Sequence, residues 1–335
     1  MKISIKEKMN RRGLRVLGAS DGKVYIGPQM AKLNITNRCT LRCRYCGAHA
    51  PGNPWHLRKR KDLPFDQFKE LVRDLKRLKV DSVDISGDGE PTLHPRFADM
   101  MAILGRQPFD VAVVSNGTFP SAVCRDVLKA DSVRINLSAP DRELYKELQG
   151  QDFFVRVTEN IRKLAALRDA RKPGFRIHIV FVVNRLNAGL EGRMRALIRH
   201  LGADGLIAKK MDVHPYDLDI RPGSGALSPE LKQGSSCRFP CFEGWFFVMN
   251  DLGGGVGWCC SVQQKTVLNI KKRSLYDIWF SKEFMRIRMA GRRGDFQKMF
   301  EPCGACIHVD EQRKVARTIL AMNRKKMARQ RGESL

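Results

Sequence analysis

Three cysteines within eight residues, Cys39-Thr-Leu-Arg-Cys43-Arg-Tyr45-Cys46, constrain this chain more than any other stretch. Soft thiolate ligands suit iron–sulfur clusters and zinc. A structural zinc site takes four ligands, and this stretch supplies three thiols, with His49 three residues on as a possible fourth. A four-iron cluster held at only three corners leaves one iron open to a small molecule. The spacing favours the cluster, and zinc stands as the alternative.

The whole chain sets the bounds. Its 335 residues, 43% hydrophobic and 29% charged, can build one large domain or two ordinary ones. No stretch approaches the ~20 apolar residues of a membrane span. The start, Met-Lys-Ile-Ser-Ile-Lys-Glu-Lys, lacks the apolar segment of a secretory signal. A cytoplasmic protein is therefore expected, in which the clustered ones among its ten cysteines bind metal rather than form disulfides. The formal charge of +26 suits nucleic acid, anionic lipid or a phosphorylated substrate, and equally a solvated basic surface, which is the preferred reading.

Residues 1–29 read as a basic extension with a short strand at Val24–Ile26. A strand over 30–36 runs into the cysteine loop. Pro64 then opens a helix to about Lys79, with Phe68, Leu71, Val72, Leu75 and Leu78 at helical spacing. Strands follow near 82–86, 110–115, 132–138, 176–183 and 204–209, alternating with helices near 95–105, 120–129, 155–170 and 188–201. This alternation predicts an α/β fold with a parallel sheet, whose active site gathers at the carboxyl ends of the strands. Six strand–helix units fall short of a closed eight-fold barrel, and periodicity alone does not separate a partial barrel from a flat doubly wound sheet.

Residues 211–236 read as a Pro- and Gly-containing linker. Asp212, His214, Asp217 and Asp219 within it match no rigid metal-binding spacing and read as a solvated loop. Six cysteines then appear: Cys237, Cys241, Cys259, Cys260, Cys303 and Cys306. Trp245–Met249 and Val256–Trp258, joined by a glycine-rich turn, read as a hairpin able to bring Cys241 and Cys259 together. Residues 309–335 form a basic tail, helical in pattern to about 331, which packs on its own domain or grips phosphates or a membrane surface.

The Cys-x3-Cys-x2-Cys motif with Tyr45 before its last cysteine resembles the signature of the radical SAM superfamily. The resemblance implies a partial (β/α)6 TIM-type barrel over residues 30–210. It also implies that Cys39, Cys43 and Cys46 hold a [4Fe-4S] cluster whose open iron binds S-adenosylmethionine (SAM). One electron then splits SAM, and the 5′-deoxyadenosyl radical so formed abstracts a substrate hydrogen. Gly89-Glu90-Pro91 is similar to the family's GGEP motif, which contacts the SAM amino group; Asp88 stands where the family has its first glycine. Ser115-Asn116-Gly117-Thr118 is similar to the segment that binds the SAM ribose. Ser138 matches a polar residue that contacts the methionine carboxylate, with Arg156 or Arg162 in range to complete it. Tyr45 is placed among the cofactor-binding residues.

Residues 237–308 resemble the auxiliary-cluster domain of the SPASM and twitch subfamilies, with Asn269-Ile270, Ser274-Leu-Tyr-Asp-Ile-Trp279 and a final Cys-x2-Cys. Cys241, Cys259, Cys303 and Cys306 fit one auxiliary [4Fe-4S] cluster. Cys237 and Cys260 are possible substitutes, and structural zinc on the same four is the alternative. A closed auxiliary cluster implies electron transfer, hence oxidation of a small molecule with flavodoxin or ferredoxin as one-electron donor. Modification of a ribosomally made peptide comes second, about 30 N-terminal residues being short for a leader-binding domain. Nucleic-acid modification, resting on charge alone, comes third. A non-catalytic, zinc-stapled nucleic-acid-binding protein is the alternative of a different class. No catalytic acid or base can be chosen, since the radical does the abstraction.

Overall fold

The computed structural model describes residues 2–53, 59–211, 240–259, 268–295, 316–319 and 321. In chain order, helix α1 (Ile5–Asp21) is followed by β1 (Met30–Leu33), α2 (Phe65–Arg77) and β2 (Ser82–Ile85). Next come α3 (Phe97–Leu104), β3 (Asp110–Ser115), α4 (Cys124–Val127), β4 (Ser132–Asn136), α5 (Arg142–Gln149) and α6 (Phe154–Arg171). Then follow β5 (Arg176–Val183), α7 (Glu191–His200), β6 (Gly205–Lys210), the short strands β7 (Phe247–Asn250) and β8 (Val256–Gly257), α8 (Leu275–Trp279) and α9 (Lys282–Arg293). The strands lie in the order β6-β5-β4-β3-β2-β1-β7-β8. Pairs β3–β4, β4–β5 and β5–β6 are parallel and β7–β8 is antiparallel. The fold is thus α/β around a mostly parallel sheet, as a partial TIM-type barrel requires. Cys237, Cys260, Cys303, Cys306, nearly all of the expected linker and most of the tail lie outside the described residues.

The chain divides into two compact units. One is built from Leu33–Phe68 and Asp84 to about residue 211. Its strands are near-continuous apolar runs, since crossover helices cover parallel strands: Val111, Val113, Val133, Ile135, Ile177, Ile179 and Phe181 are all fully buried or nearly so. In register, Ser115 pairs with Ile135 and Asn136 with Val180. Polar residues therefore collect at the carboxyl ends of β3 and β4.

The other unit takes in residues up to Lys32, Lys69–Val83 and the described residues from 240 onward. Helix α1 occupies most of the segment read as a basic extension, and the structure corrects one reading within it: Val24–Ile26 forms no strand. Ser4 caps α1 by accepting from the Glu7 N–H, and Gly22 ends it at φ 70°. The helix buries Arg15, Gly18, Ala19 and Ser20. Arg15 donates to the carbonyls of Gly27 and Pro28 and pairs with Asp81. The expected hairpin is present as β7–β8, with the Asp251 carboxylate accepting from the N–H groups of Gly253 and Gly255 in its turn. The N–H groups of Gln29 and Met30 both donate to Phe246 O, which sets β1 beside the hairpin.

Arg288, on α9, is buried with its guanidinium 4.1 Å from the Trp279 ring and 4.2 Å from the Phe284 ring. Its Nε donates to Gly244 O and its Nη1 to Trp279 O. Arg288→Ala removes this packed volume and leaves both carbonyls short of a donor. A loss of about 2–5 kcal/mol is expected in a denaturant titration, the range for large-to-small core changes.

Candidate functional site

The cysteine loop leaves β1 and is braced within its own unit. Asp62 pairs with Arg38 and accepts from Thr36 Oγ1, and the N–H groups of Arg42 and Arg44 donate to the carbonyls of Gln149 and Leu148. The loop thus rests on the end of α5. The backbone N–H groups of Ala48 and His49 point at the Cys46 sulfur at 3.4 and 3.3 Å, and that of Leu41 at the Cys39 sulfur at 3.5 Å.

Burial dominates the chemistry of these thiols. It pushes Cys39 up to about 12, and it raises Cys43 well above, and Cys46 above, the ordinary thiol value. Three neighbouring thiolates here would need a positive partner, such as a bound iron cluster would supply. Among the described residues, no set of three His, Cys, Asp or Glu side chains is arranged around a single metal ion. His49, the possible fourth zinc ligand, instead places Nε2 2.7 Å from the Asp88 carbonyl oxygen. A cavity of about 180 Å³ lies beside the loop, lined in part by Cys39, Thr40, Arg42, His49 and Asp88.

The segment after β2 explains its own glycines. A Cβ on Gly87 would overlap the Asn34 side chain, and one on Gly89 would overlap the Arg38 carbonyl and lie 2.7 Å from Thr36 O. Position 88 is under no such limit, and Asp88 uses its carboxylate to accept from Asn34 Nδ2 at 3.0 Å. The departure from two glycines is therefore accommodated locally.

Glu90, buried at 2% exposure, gathers the next two strand ends. Its carboxylate accepts from Thr92 N–H and hydroxyl, from the Ser115 hydroxyl at 2.9 Å and from Asn116 N–H at 2.7 Å. Burial raises its pKa, and these donors offset part of the rise. Asn116 Nδ2 reaches the Thr40 hydroxyl at 3.1 Å and the Cys39 sulfur at 3.7 Å, so Glu90, Ser115, Asn116 and Cys39 form one connected set.

A second set hangs on Asn136. Its Oδ1 accepts from the Tyr45 hydroxyl at 2.9 Å and from the Ser138 hydroxyl at 3.1 Å. Ser138 is fully buried and also accepts from Val182 N–H. Tyr45 points inward from the cysteine loop, with its hydroxyl also 3.1 Å from Gln149 Oε1. Arg156 and Arg162 are both exposed on α6, and Arg156 lies over the Phe153 ring.

Gln149 went unnoticed in the sequence. It is fully buried, and its Oε1 faces both Tyr45 and the Cys43 sulfur. The signal was present: Asp141 caps the start of α5 and Gly150, at φ 72°, ends it. A helix so delimited puts Tyr145, Leu148 and Gln149 on one face.

A family model described as the radical SAM superfamily matches residues 33–184, and one described as an iron-sulfur cluster-binding domain, SPASM, matches residues 241–307. The chain carries a radical SAM domain and a SPASM domain. A PqqA peptide cyclase of Streptomyces rochei is 26% identical over 312 residues, covering 82% of this chain and 80% of that protein. The structure of Streptococcus suis SuiB bound to S-adenosylmethionine superposes with a TM-score of 0.64 at 15% identity, covering 84% of this chain and 72% of that one. BtrN in complex with AdoMet and 2-DOIA gives a TM-score of 0.52 at 15% identity, covering 84% and 93%. Both structures attest the fold. As a radical SAM enzyme with a SPASM domain, the protein uses a [4Fe-4S] cluster and SAM, and the SPASM domain implies further iron–sulfur clusters. The three-thiol loop and the cavity beside it fit such a group.

Proposed function

We propose that this radical SAM enzyme abstracts hydrogen from an unactivated C–H bond of a peptide substrate. The observation that carries the reading is the PqqA peptide cyclase relative, which matches over four-fifths of both chains. Cys39, Cys43 and Cys46 hold the SAM-binding cluster in this reading, and Cys241, Cys259, Cys303 and Cys306 the auxiliary one. The catalytic barrel spans residues 30–210 and the auxiliary domain 237–308.

When bound, the cluster supplies the electron that cleaves SAM to the hydrogen-abstracting radical. The chain's own groups position the reactants. Gly89 lets the main chain approach closely, Glu90 fixes the end of β3, and Ser115, Asn116 and Ser138 at the strand ends, with Tyr45 from the cysteine loop, define the SAM-facing side. An acidic one-electron donor such as flavodoxin or ferredoxin suits a chain of net charge +26. Among the described residues no helix is long and apolar enough to cross a membrane.

Oxidation of a small molecule is the second reading. What favours it is the hairpin that precedes Cys259, since a closed cluster beyond it would accept an electron from a substrate radical. The two readings separate in one assay. Reconstituted enzyme is given SAM, dithionite and a host-cell extract, and 5′-deoxyadenosine is measured. Stimulation abolished by protease treatment of the extract is the expected result. Stimulation that survives protease and passes a small-molecule filter would replace the peptide with a metabolite.

A further inference from the structure

Gln149 sets a buried amide beside the Cys43 sulfur. The Cys43 sulfur lies 3.7 Å from Oε1, and the Tyr45 hydroxyl lies 3.1 Å from the same oxygen. The other end of the amide, Nε2, is buried and has no hydrogen-bond partner among the described residues. A buried amide N–H pair without an acceptor costs roughly 1–3 kcal/mol, so its retention calls for an explanation.

The Cys43 sulfur beside the amide supplies one, if it is an iron ligand. A thiolate bound to iron has no hydrogen to donate, so sulfur and Oε1 would then face each other as two acceptors. Rotating the amide by half a turn removes that conflict and brings Nε2 to the sulfur, so that one carbonyl oxygen rather than two N–H donors is left without a partner. Tyr45 loses nothing by it: its hydroxyl already donates to Asn136 Oδ1 at 2.9 Å and can accept from Nε2. The backbone of Gln149 is fixed meanwhile, because its carbonyl accepts from Arg42 N–H of the same loop.

We propose that Gln149 is a positioning residue of the SAM-binding cluster, whose amide turns so that Nε2 donates a hydrogen bond to the iron-bound sulfur of Cys43 and eases reduction of the cluster. The proposal rests on the reading of Cys43 as a ligand. An N–H···S bond favours the more electron-rich, reduced form and so raises the reduction potential. Asn116, with Nδ2 3.7 Å from the Cys39 sulfur, is a matching donor on a second corner, so Gln149 completes a pair of carboxamides flanking two of the three sulfurs.

The test is an EPR-monitored redox titration of the reconstituted full-length enzyme, following the signal that changes when SAM is added. In Gln149→Leu the reduced-to-oxidised ratio at fixed potential is expected to fall about tenfold, a midpoint ~59 mV lower for one electron, with iron content unchanged. Gln149→Met, which keeps the length without a donor, gives the same fall and serves if the leucine variant does not load iron. A midpoint equal to that of wild type in either loaded variant overturns the proposal, as does failure of both to load iron, since a potential-tuning donor is dispensable for assembly. A Cys43→Ala variant that keeps the SAM-responsive signal overturns the ligand reading instead, and is distinguishable from both.

Discussion

Gly89→Ala is expected to lower SAM cleavage roughly 100-fold while leaving the rest of the fold intact. The added methyl meets backbone: the Arg38 carbonyl, the Asn37 carbonyl carbon at 2.7 Å and Thr36 O at 2.7 Å. Main-chain atoms cannot swing away as a side chain can, so the two segments must separate. Overpacking of this kind costs about 1–3 kcal/mol. The displaced segment is the lead-in to Cys39, and Glu90 N–H donates to the same Arg38 carbonyl at 2.7 Å. The disturbance therefore reaches the first cysteine of the loop and the carboxylate that fixes Ser115 and Asn116.

Asp88→Ala is the informative comparison. It removes only the hydrogen bond from Asn34 Nδ2, worth about 1 kcal/mol, and should cost SAM cleavage a few-fold. Both rates come from 5′-deoxyadenosine formation without substrate. Equal losses in the two variants would show that the close approach at Gly89 does not control the site.

The parallel strands and their ends were legible because parallel strands are apolar runs closed by turn residues. The strand readings at 110–115 and 176–183 match β3 and β5, and the cysteine, Gly89-Glu90 and Ser115-Asn116 segments all fall at strand ends. What the sequence did not reveal is which of these residues meet. Glu90 was assigned to SAM from the motif, yet its four donors come from residues two positions on and from the end of β3, an association only the folded chain displays.

Helix α1 was hidden for a different reason. Its buried face is Arg15, Gly18, Ala19 and Ser20, while Ile5 and Met9 are exposed, so no apolar stripe marks it. Caps and a buried Arg15–Asp81 pair hold it instead, and the second partner lies 66 residues away. Gln149 escaped for the same reason, as a polar residue on the buried face of a short helix. The hairpin at β7–β8 was readable because its turn chemistry is local: Gly254 at φ 92° and the Asp251 carboxylate sit between two short apolar runs.

The central claim is that one chain carries a SAM-binding cluster on Cys39, Cys43 and Cys46 and a separate auxiliary cluster. Iron per chain, measured with SAM cleavage after anaerobic reconstitution, tests it most directly in wild type and in a Cys39/Cys43/Cys46→Ala triple variant. Two four-iron clusters give about eight irons falling to about four, with SAM cleavage reduced to background. An auxiliary cluster that survives the triple change would stand independent of the first. A colourless protein holding zinc, or a triple variant that keeps all its iron and still cleaves SAM, would contradict the account.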